Sequence, residues 1–186
     1  MKTTVLVIHP NIKQSRVNAA LAKGAADVAG VEVRYLYDLY PDGKIDATTE
    51  QAVLEKADRI VLQFPMYWYN SPALLKQWLD DVLTYNWAYG PQGKALAGKE
   101  WVSTISTGGP ADSYQAGGYN GYSMSEFIKP LQQTANLIQT KFLPAFVFHG
   151  AVSASEADVR QSADDMAKHL SISAYPVLIT DKGLEQ

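Results

Sequence analysis

Cysteine is missing from this sequence, and its absence excludes several kinds of chemistry at once. Disulfides, thiolate nucleophiles and cysteine-bound zinc or iron–sulfur sites all need that side chain. The three histidines, His9, His149 and His169, lie far apart in the sequence and have no carboxylate pairs close to them. We therefore predict no metal site. A chain without disulfides is also typical of an intracellular protein.

Long hydrophobic runs and a strong charge of one sign are missing as well. The apolar run at residues 3–8 is too short for a signal peptide, and no later segment is long enough to span a bilayer. The formal net charge is only −3, and Lys and Arg are scattered, so no basic groove is predicted. We expect a soluble, cytoplasmic protein that does not bind nucleic acid.

Several familiar motifs are also absent. The sequence has no Gly-x-Gly-x-x-Gly or Walker pattern for nucleotides and no Gly-x-Ser-x-Gly elbow for hydrolysis. A serine hydrolase would have to combine Ser15 or Ser106 with His9 or His149, and no motif supports that arrangement. Hydrolysis is therefore not the predicted chemistry.

What the sequence does contain is a regular alternation of apolar runs with helical patterns, which is typical of a parallel sheet covered on both faces. With 186 residues, 47% of them hydrophobic, the chain is long enough for one well-buried domain. We place that domain at residues 1–173 and a surface tail at 174–186. The predicted strands are 3–8, 31–37, 59–64, 101–106 and 142–148. The predicted helices are 17–28, which Gly30 ends, and 49–57, 74–83, 125–137 and 159–170.

The second predicted strand lies at an edge of the sheet. Its apolar residues alternate with Glu32 and Arg34, as in a strand that is half exposed. Five parallel strands with the second outermost match the order 2-1-3-4-5 of a flavodoxin-like α/β three-layer sandwich. Ligands of such sheets bind at the carboxyl ends of the strands, and the three most unusual loops here follow strands one, three and four.

The loop after strand three, residues 64–72, carries three consecutive aromatic residues between Pro65 and Pro72. A loop normally meets water, so this composition predicts a rigid apolar surface for a flat ligand such as a flavin. Pro72 suits the first position of the following helix. The alternatives are a loop that packs into the core and a dimer interface.

The loop after strand one, residues 9–18, ends at a helix start and is rich in hydrogen-bond donors. Helix-start amides and the side chains of His9, Ser15, Arg16 and Asn18 could hold a phosphate. Alternatively, Ser15 only caps the helix, and His9 is a satisfied histidine at a strand end.

The loop after strand four contains Gly108 and Gly109, which allow the backbone to approach a ligand and aim amide donors at it. Such donors would stabilise a ring that gains negative charge, although two glycines can also simply make a turn. In the polar, aromatic segment at 112–122, Tyr114 is the candidate for donating a hydrogen bond or a proton to an acceptor oxygen. The alternative is a packing tyrosine.

Taken together, the segments 9–10 with 15–18, 64–69 leading into 72–78, and 107–109 resemble the flavodoxin-like NAD(P)H:quinone oxidoreductases, the family of DT-diaphorase. The segments 87–90 and 39–41 resemble its short bacterial branch. That branch contains ancillary subunits of glutathione-regulated potassium efflux and general stress oxidoreductases.

The resemblance implies a homodimer with a bound flavin that is reduced by NAD(P)H and reoxidised by a quinone or a related electrophilic aromatic. FMN is favoured over FAD, because the chain lacks the long C-terminal extension of the FAD-binding members. Tyr114 matches the active-site tyrosine of the family, but Asn120 stands near the position of its partner histidine. Since Asn cannot exchange a proton near neutral pH, we expect Tyr114 to orient the substrate. The flavin contacts implied by the resemblance are His9, Ser15, Arg16, Val17, Asn18, Pro65, Met66, Tyr67, Trp68, Tyr69, Ser106, Thr107, Gly108 and Gly109.

Two other roles are open at this point. The resemblance to the potassium-efflux branch also suits a regulatory subunit that docks on a transporter at the inner face of the membrane. An electron carrier of the flavodoxin type is the third possibility, but such carriers usually recruit partners with a strongly acidic surface, and a net charge of −3 is modest.

Overall fold

The computed structural model describes residues 1–173 and contains a parallel sheet with helices on both faces. The predicted tail at 174–186 lies outside the described residues. The strands are β1 (Thr3–Val7), β2 (Val31–Tyr35), β3 (Arg59–Pro65), β4 (Glu100–Ser106), β5 (Lys141–Phe142) and β6 (Phe146–Phe148). The helices are α1 (Arg16–Ala26), α2 (Leu36–Leu39), α3 (Ala47–Lys56), α4 (Ala73–Val82), α5 (Met124–Phe127), α6 (Lys129–Leu137) and α7 (Glu156–Ser171). Short 3₁₀ turns lie at Ile12–Gln14 and Ala111–Ser113.

The strand order is β2-β1-β3-β4-β5, with β6 also paired to β4, so the predicted flavodoxin-like order is confirmed. The strand predicted at 142–148 is divided into β5 and β6, which pair in parallel with successive parts of β4. Pro144 lies in the interruption and has no N–H to donate to the sheet. The last strand therefore consists of two short pieces along one edge.

Successive residues of the central strands point to opposite faces and build two cores. On one face, Leu6 and Leu62 pack with apolar residues of α3, α4 and α6. On the other, Val5 and Val61 pack with α1 and α7. The three-layer arrangement follows directly from this alternation. Within residues 1–173, no helix is both long and apolar enough to cross a membrane.

Several predicted element ends differ from the structure. Helix α1 ends at Ala26 rather than at Gly30, which lies in the turn to β2 with a φ of 81°. Pro72 is the N-cap of α4 and not its first residue. The helix predicted at 125–137 is two helices that meet at Ile128, because Pro130, at the start of α6, cannot donate a hydrogen bond to the preceding turn.

A buried carboxylate ties the first half of the domain together. Glu50 on α3 is fully buried and accepts hydrogen bonds from Arg34 Nη2, Tyr40 OH at 2.8 Å and Trp78 Nε1 at 3.0 Å. Burial and the hydrogen bond to Glu50 raise the pKa of Tyr40 to about 12. A charge taken out of water needs partners of this kind, so this cluster joins β2, α3 and α4.

Candidate functional site

The loops after β1, β3 and β4 meet at the carboxyl edge of the sheet, as the sequence predicted. The amide of Met66 donates to Ser106 O at 2.8 Å, and Asn18 Nδ2 donates to Ser106 Oγ at 2.8 Å, so Ser106 contacts both other loops. A pocket of about 320 Å³ opens beside them. Its lining is Met66, Trp68, Tyr69, Gly108, Gly109, Ser113, Tyr114, Tyr119 and Asn120.

The aromatic loop makes a tight turn at one side of this pocket. Tyr67 and Asn70 exchange two backbone hydrogen bonds of 2.9 and 3.0 Å around Trp68 and Tyr69. Both central residues are left-handed, with φ of 50° and 62°, a conformation that usually selects Asn or Gly. Trp68 is nevertheless 93% exposed. The chain therefore holds a large aromatic side chain at a strained, solvent-facing position.

The glycine turn at Gly108 and Gly109 also lines this pocket and is hydrogen-bonded to the end of β6 and the segment after it. Thr107 N donates to Phe148 O, Gly150 N to Gly109 O and Ala151 N to Thr107 O, at 2.8 to 2.9 Å. A Cβ added to Gly108 would meet only Val152 Cγ2, at 3.5 Å. A Cβ at Gly109 would meet Tyr114, also at 3.5 Å. These are ordinary contacts, so the packing of the protein itself does not require glycine at either position.

The loop after β1 leads into the start of α1. Ser15 is the N-cap, and its Oγ accepts from Asn18 N at 3.1 Å, so the capping interpretation of Ser15 is confirmed. The amides of Arg16 and Val17 belong to the first helical turn and have no carbonyl partner within the helix. Asn18 is 2% exposed, and its Oδ1 has no hydrogen-bond partner among the described residues.

Two charged or ionisable side chains of this loop have defined partners. His9 Nδ1 accepts from Asn11 N at 3.1 Å, so a neutral imidazole carries its proton on Nε2 and can donate it. Burial lowers the pKa of His9, which favours the neutral form. The Arg16 guanidinium binds Glu156 and Ala154 O at the start of α7. With its side chain engaged there, Arg16 offers the loop only its backbone amide.

Tyr114 faces the pocket beside the glycine turn. Its hydroxyl would lie 3.6 Å from a Cβ at Gly109, and its ring contacts Phe127 and His149 with centroid separations of 6.0 and 5.3 Å. The contact with His149 was not predicted. The sequence offered one signal for it, since His149 directly follows the last strand at the same edge of the sheet.

A family model for the flavodoxin-like fold matches residues 1–170, nearly the whole described chain. The chain belongs to the flavodoxin-like fold family. Curated relatives support the same assignment. General stress protein 14 of Bacillus subtilis (strain 168) is 50% identical over 170 residues, which cover 91% of this chain and 97% of the relative. An uncharacterized NAD(P)H oxidoreductase of the same organism is 48% identical and covers 92% and 87%.

Among the relatives of this flavodoxin-like protein is also the glutathione-regulated potassium-efflux system ancillary protein KefF of Klebsiella aerogenes. It is 41% identical over 145 residues, 78% of this chain and 81% of the relative. The resemblance proposed from the three loops is thereby confirmed at the level of the family and of its named NAD(P)H oxidoreductase and KefF members.

Solved structures overlay on almost the full length of this flavodoxin-like chain. General stress protein 14 from Treponema denticola, in complex with FMN, has a TM-score of 0.87 at 43% identity and covers 91% of this chain and 98% of its own. An NADPH-quinone reductase from P. pentosaceus has a TM-score of 0.83 at 31% identity and covers 94% and 100%. A protein described as a thermophilic tryptophan halogenase from Streptomycin violaceusniger has a TM-score of 0.90 at 48% identity and covers 92% and 99%.

Proposed function

We propose that this protein is an FMN-dependent NAD(P)H oxidoreductase that reduces quinones or related flat, electrophilic aromatics by two electrons. One observation carries the proposal. The strained aromatic turn at Trp68 and Tyr69 and the unobstructed glycine turn at Gly108 and Gly109 line the same 320 Å³ pocket. A pocket lined by aromatic side chains and by the backbone of a glycine turn suits a flat ring that gains negative charge.

The residues around the pocket fit the parts of FMN. For the phosphate, the start of α1 offers the amides of Arg16 and Val17, the Ser15 hydroxyl and the Nε2–H of His9. The hydroxyls of a ribityl chain need acceptors, and Asn18 Oδ1 is a buried acceptor without a partner among residues 1–173.

The remaining predicted contacts belong to the two loops that contribute the aromatic turn and the glycine turn to the pocket lining. Met66, Tyr67, Trp68 and Tyr69 follow Pro65 on one side, and Ser106 and Thr107 lead into the glycine turn on the other. FMN is favoured over FAD because the similar Treponema denticola structure is a complex with FMN.

Held by these residues, FMN would supply the two-electron hydride chemistry that links NAD(P)H to the acceptor. Residues of the chain itself would bind and orient the acceptor. Tyr114, beside Gly109, is placed to donate a hydrogen bond to an oxygen of the acceptor. Trp68 and Tyr119, each 93% exposed, offer flat apolar surfaces on which a planar acceptor can stack while water is displaced.

A homodimer and a cytoplasmic location belong to the same proposal. Besides Trp68 and Tyr119, the surface next to the pocket exposes Tyr122, and Tyr69 stacks on Phe127 at 5.4 Å. Exposed aromatic groups in such numbers are typical of a surface that a second protein chain covers.

The test is an anaerobic titration of the FMN-loaded protein with NADPH or NADH, followed by addition of a quinone, while the flavin absorbance is recorded. We expect stoichiometric bleaching by the nicotinamide and full recovery with the quinone. A Tyr114→Phe variant serves as the control for the acceptor step, because it should bleach normally and recover more slowly. Bound FMN that no nicotinamide bleaches would contradict the proposal.

A second candidate is supported by the 41% identity to KefF. In this alternative the protein is an ancillary subunit of a potassium-efflux transporter, and its redox activity is secondary. It predicts that the protein co-purifies with such a transporter from detergent-solubilised membranes and alters potassium efflux. Efflux that is the same with and without the protein would exclude this role.

A further inference from the structure

His149 contacts both the glycine turn and Tyr114 from an element that the loop motifs do not include. It follows β6, and its Nδ1 lies 3.0 Å from Thr107 Oγ1. Its ring is tilted by 35° against the ring of Tyr114, with the centroids 5.3 Å apart. One imidazole therefore contacts both the glycine turn and the candidate tyrosine.

The direction of the hydrogen bonds follows from the single proton of the Thr107 hydroxyl. Thr107 Oγ1 donates that proton to Gly109 O at 2.9 Å, so the bond to His149 must be donated by Nδ1–H. Gly109 O also accepts from Gly150 N at 2.8 Å and thus has two donors. Burial lowers the pKa of His149, which favours the neutral imidazole, and the one proton of that form serves this chain of bonds.

No other described imidazole is placed to do this. The ring of His9 contacts that of Tyr67, with centroids 6.3 Å apart, and the ring of His169 contacts that of Phe146, with centroids 5.4 Å apart. At position 120, Asn replaces the histidine that the family resemblance would have supplied, and its backbone amide donates to Ser113 O at 3.1 Å. Among residues 1–173, the rings in contact with Tyr114 are those of Phe127 and His149.

We propose that His149 is a positioning residue with two separable roles. Its Nδ1–H holds Thr107, and through it the Gly109 edge of the flavin pocket, while its ring sets the orientation of Tyr114 toward the acceptor. This inference rests on the proposed flavin function and deepens it. In the family resemblance, the imidazole beside the active-site tyrosine comes from the loop after β4. In this protein, it comes from the end of β6.

Two substitutions separate these roles. His149→Asn keeps an N–H near the position of Nδ1 and removes the ring. His149→Phe keeps the ring and removes the hydrogen bond. For His149→Asn we expect the dissociation constant of FMN to stay within about twofold, because the bond to Thr107 can still form. With Tyr114 no longer oriented, its kcat for quinone reduction should fall about tenfold at an unchanged KM for NADPH.

His149→Phe should behave in the opposite way. Loss of one hydrogen bond at the pocket edge should raise the dissociation constant of FMN about fivefold, while kcat at saturating FMN falls by less than in His149→Asn, because the ring beside Tyr114 is kept. FMN binding is measured by quenching of flavin fluorescence, and kcat by steady-state quinone reduction. If His149→Phe does not fold, Thr107→Val removes the same hydrogen bond from its other end together with the bond to Gly109 O, and should raise the FMN dissociation constant at least as much.

The outcomes distinguish this inference from the function on which it rests. A wild-type protein that does not bind FMN refutes the proposed function itself. A wild-type protein that binds FMN and reduces quinone, with both His149 variants unchanged, refutes only the role of His149. Parallel loss of FMN affinity, kcat and thermal stability in both variants would show a merely structural histidine and would also refute it.

Discussion

Replacing Gly108 with alanine should increase the stability of the folded protein and decrease its affinity for FMN. The added Cβ would meet only Val152 Cγ2 at 3.5 Å, and Gly108 is not among the glycines with positive φ. The folded chain can therefore accept alanine without strain. Because alanine restricts the unfolded chain more than glycine does, the free energy of unfolding should rise by about 0.4–1 kcal/mol. For a domain of this size, the melting temperature would increase by about 1–4 °C.

The same substitution should weaken the binding of FMN. If the flavin ring packs against the backbone at Gly108, the methyl group overpacks that contact at a cost of about 1–3 kcal/mol. Such a cost corresponds to a dissociation constant that is about 5- to 150-fold higher. Apoprotein stability is measured by thermal unfolding followed by circular dichroism, and FMN affinity by fluorescence quenching.

Gly24→Ala is the matched control. A Cβ at Gly24 would lie 2.1 Å from Ala163 O, where α1 packs on α7. This variant should lose stability and keep its FMN affinity in the folded state. The reasoning would be refuted by a Gly108→Ala protein of unchanged stability that binds FMN as tightly as the wild type, because the ring would then not approach Gly108. Destabilisation of Gly108→Ala apoprotein would refute the steric argument.

Three further predictions concern strain, the buried carboxylate and pH. Trp68→Asn should raise the free energy of unfolding by about 1 kcal/mol, because Asn tolerates a left-handed φ. It should also weaken the binding of both FMN and quinone. A lower stability in urea unfolding would contradict the expected gain. Glu50→Gln should lower the free energy of unfolding by about 3 kcal/mol, since it leaves Arg34 without its buried counter-charge. A loss below about 1 kcal/mol, which is the value of a surface ion pair, would show that the cluster is dispensable. Burial and the nearby charge of Arg59 lower the pKa of His169 to about 4. Below about pH 6.5, the unfolded chain therefore binds a proton at His169 that the folded chain does not bind until about pH 4. Stability should therefore fall by about 1–2 kcal/mol, after allowance for solvent screening, as the pH drops from 6.5 to 4; urea unfolding of His169→Gln should show a flatter profile over that range.

The elements that were predicted correctly are those that a pattern of neighbouring residues in the sequence identifies. The alternation of apolar residues with Glu32 and Arg34 indicated an edge strand, and β2 is the outermost strand of the sheet. The aromatic loop was visible because three aromatic residues stand together in sequence. Element ends were less accurate. Pro130 and Pro144 each divide a predicted element, because the missing N–H interrupts a pattern that hydrophobicity alone continues.

The pairings inside the candidate site could not be predicted, because they join residues far apart in the chain. Arg16 was assigned to the phosphate loop from its position, yet its guanidinium binds Glu156, 140 residues away. His149 was considered only for a hydrolase and for a metal site, yet its ring lies against Tyr114. Where a long polar side chain points depends on which partners the packed helices and strands bring near it.

By itself, the amino-acid sequence determined the class of this protein. Hydrophobic periodicity acts over a few residues, so it specifies the strands, the helices and, through them, a parallel sheet with ligand loops at its carboxyl edge. Only the tertiary structure decided that the glycine turn is unobstructed, that Trp68 and Tyr69 are strained, and that His149 bridges Thr107 and Tyr114. These properties depend on distances between separate loops, which exist only once the sheet has brought the ends of its strands together.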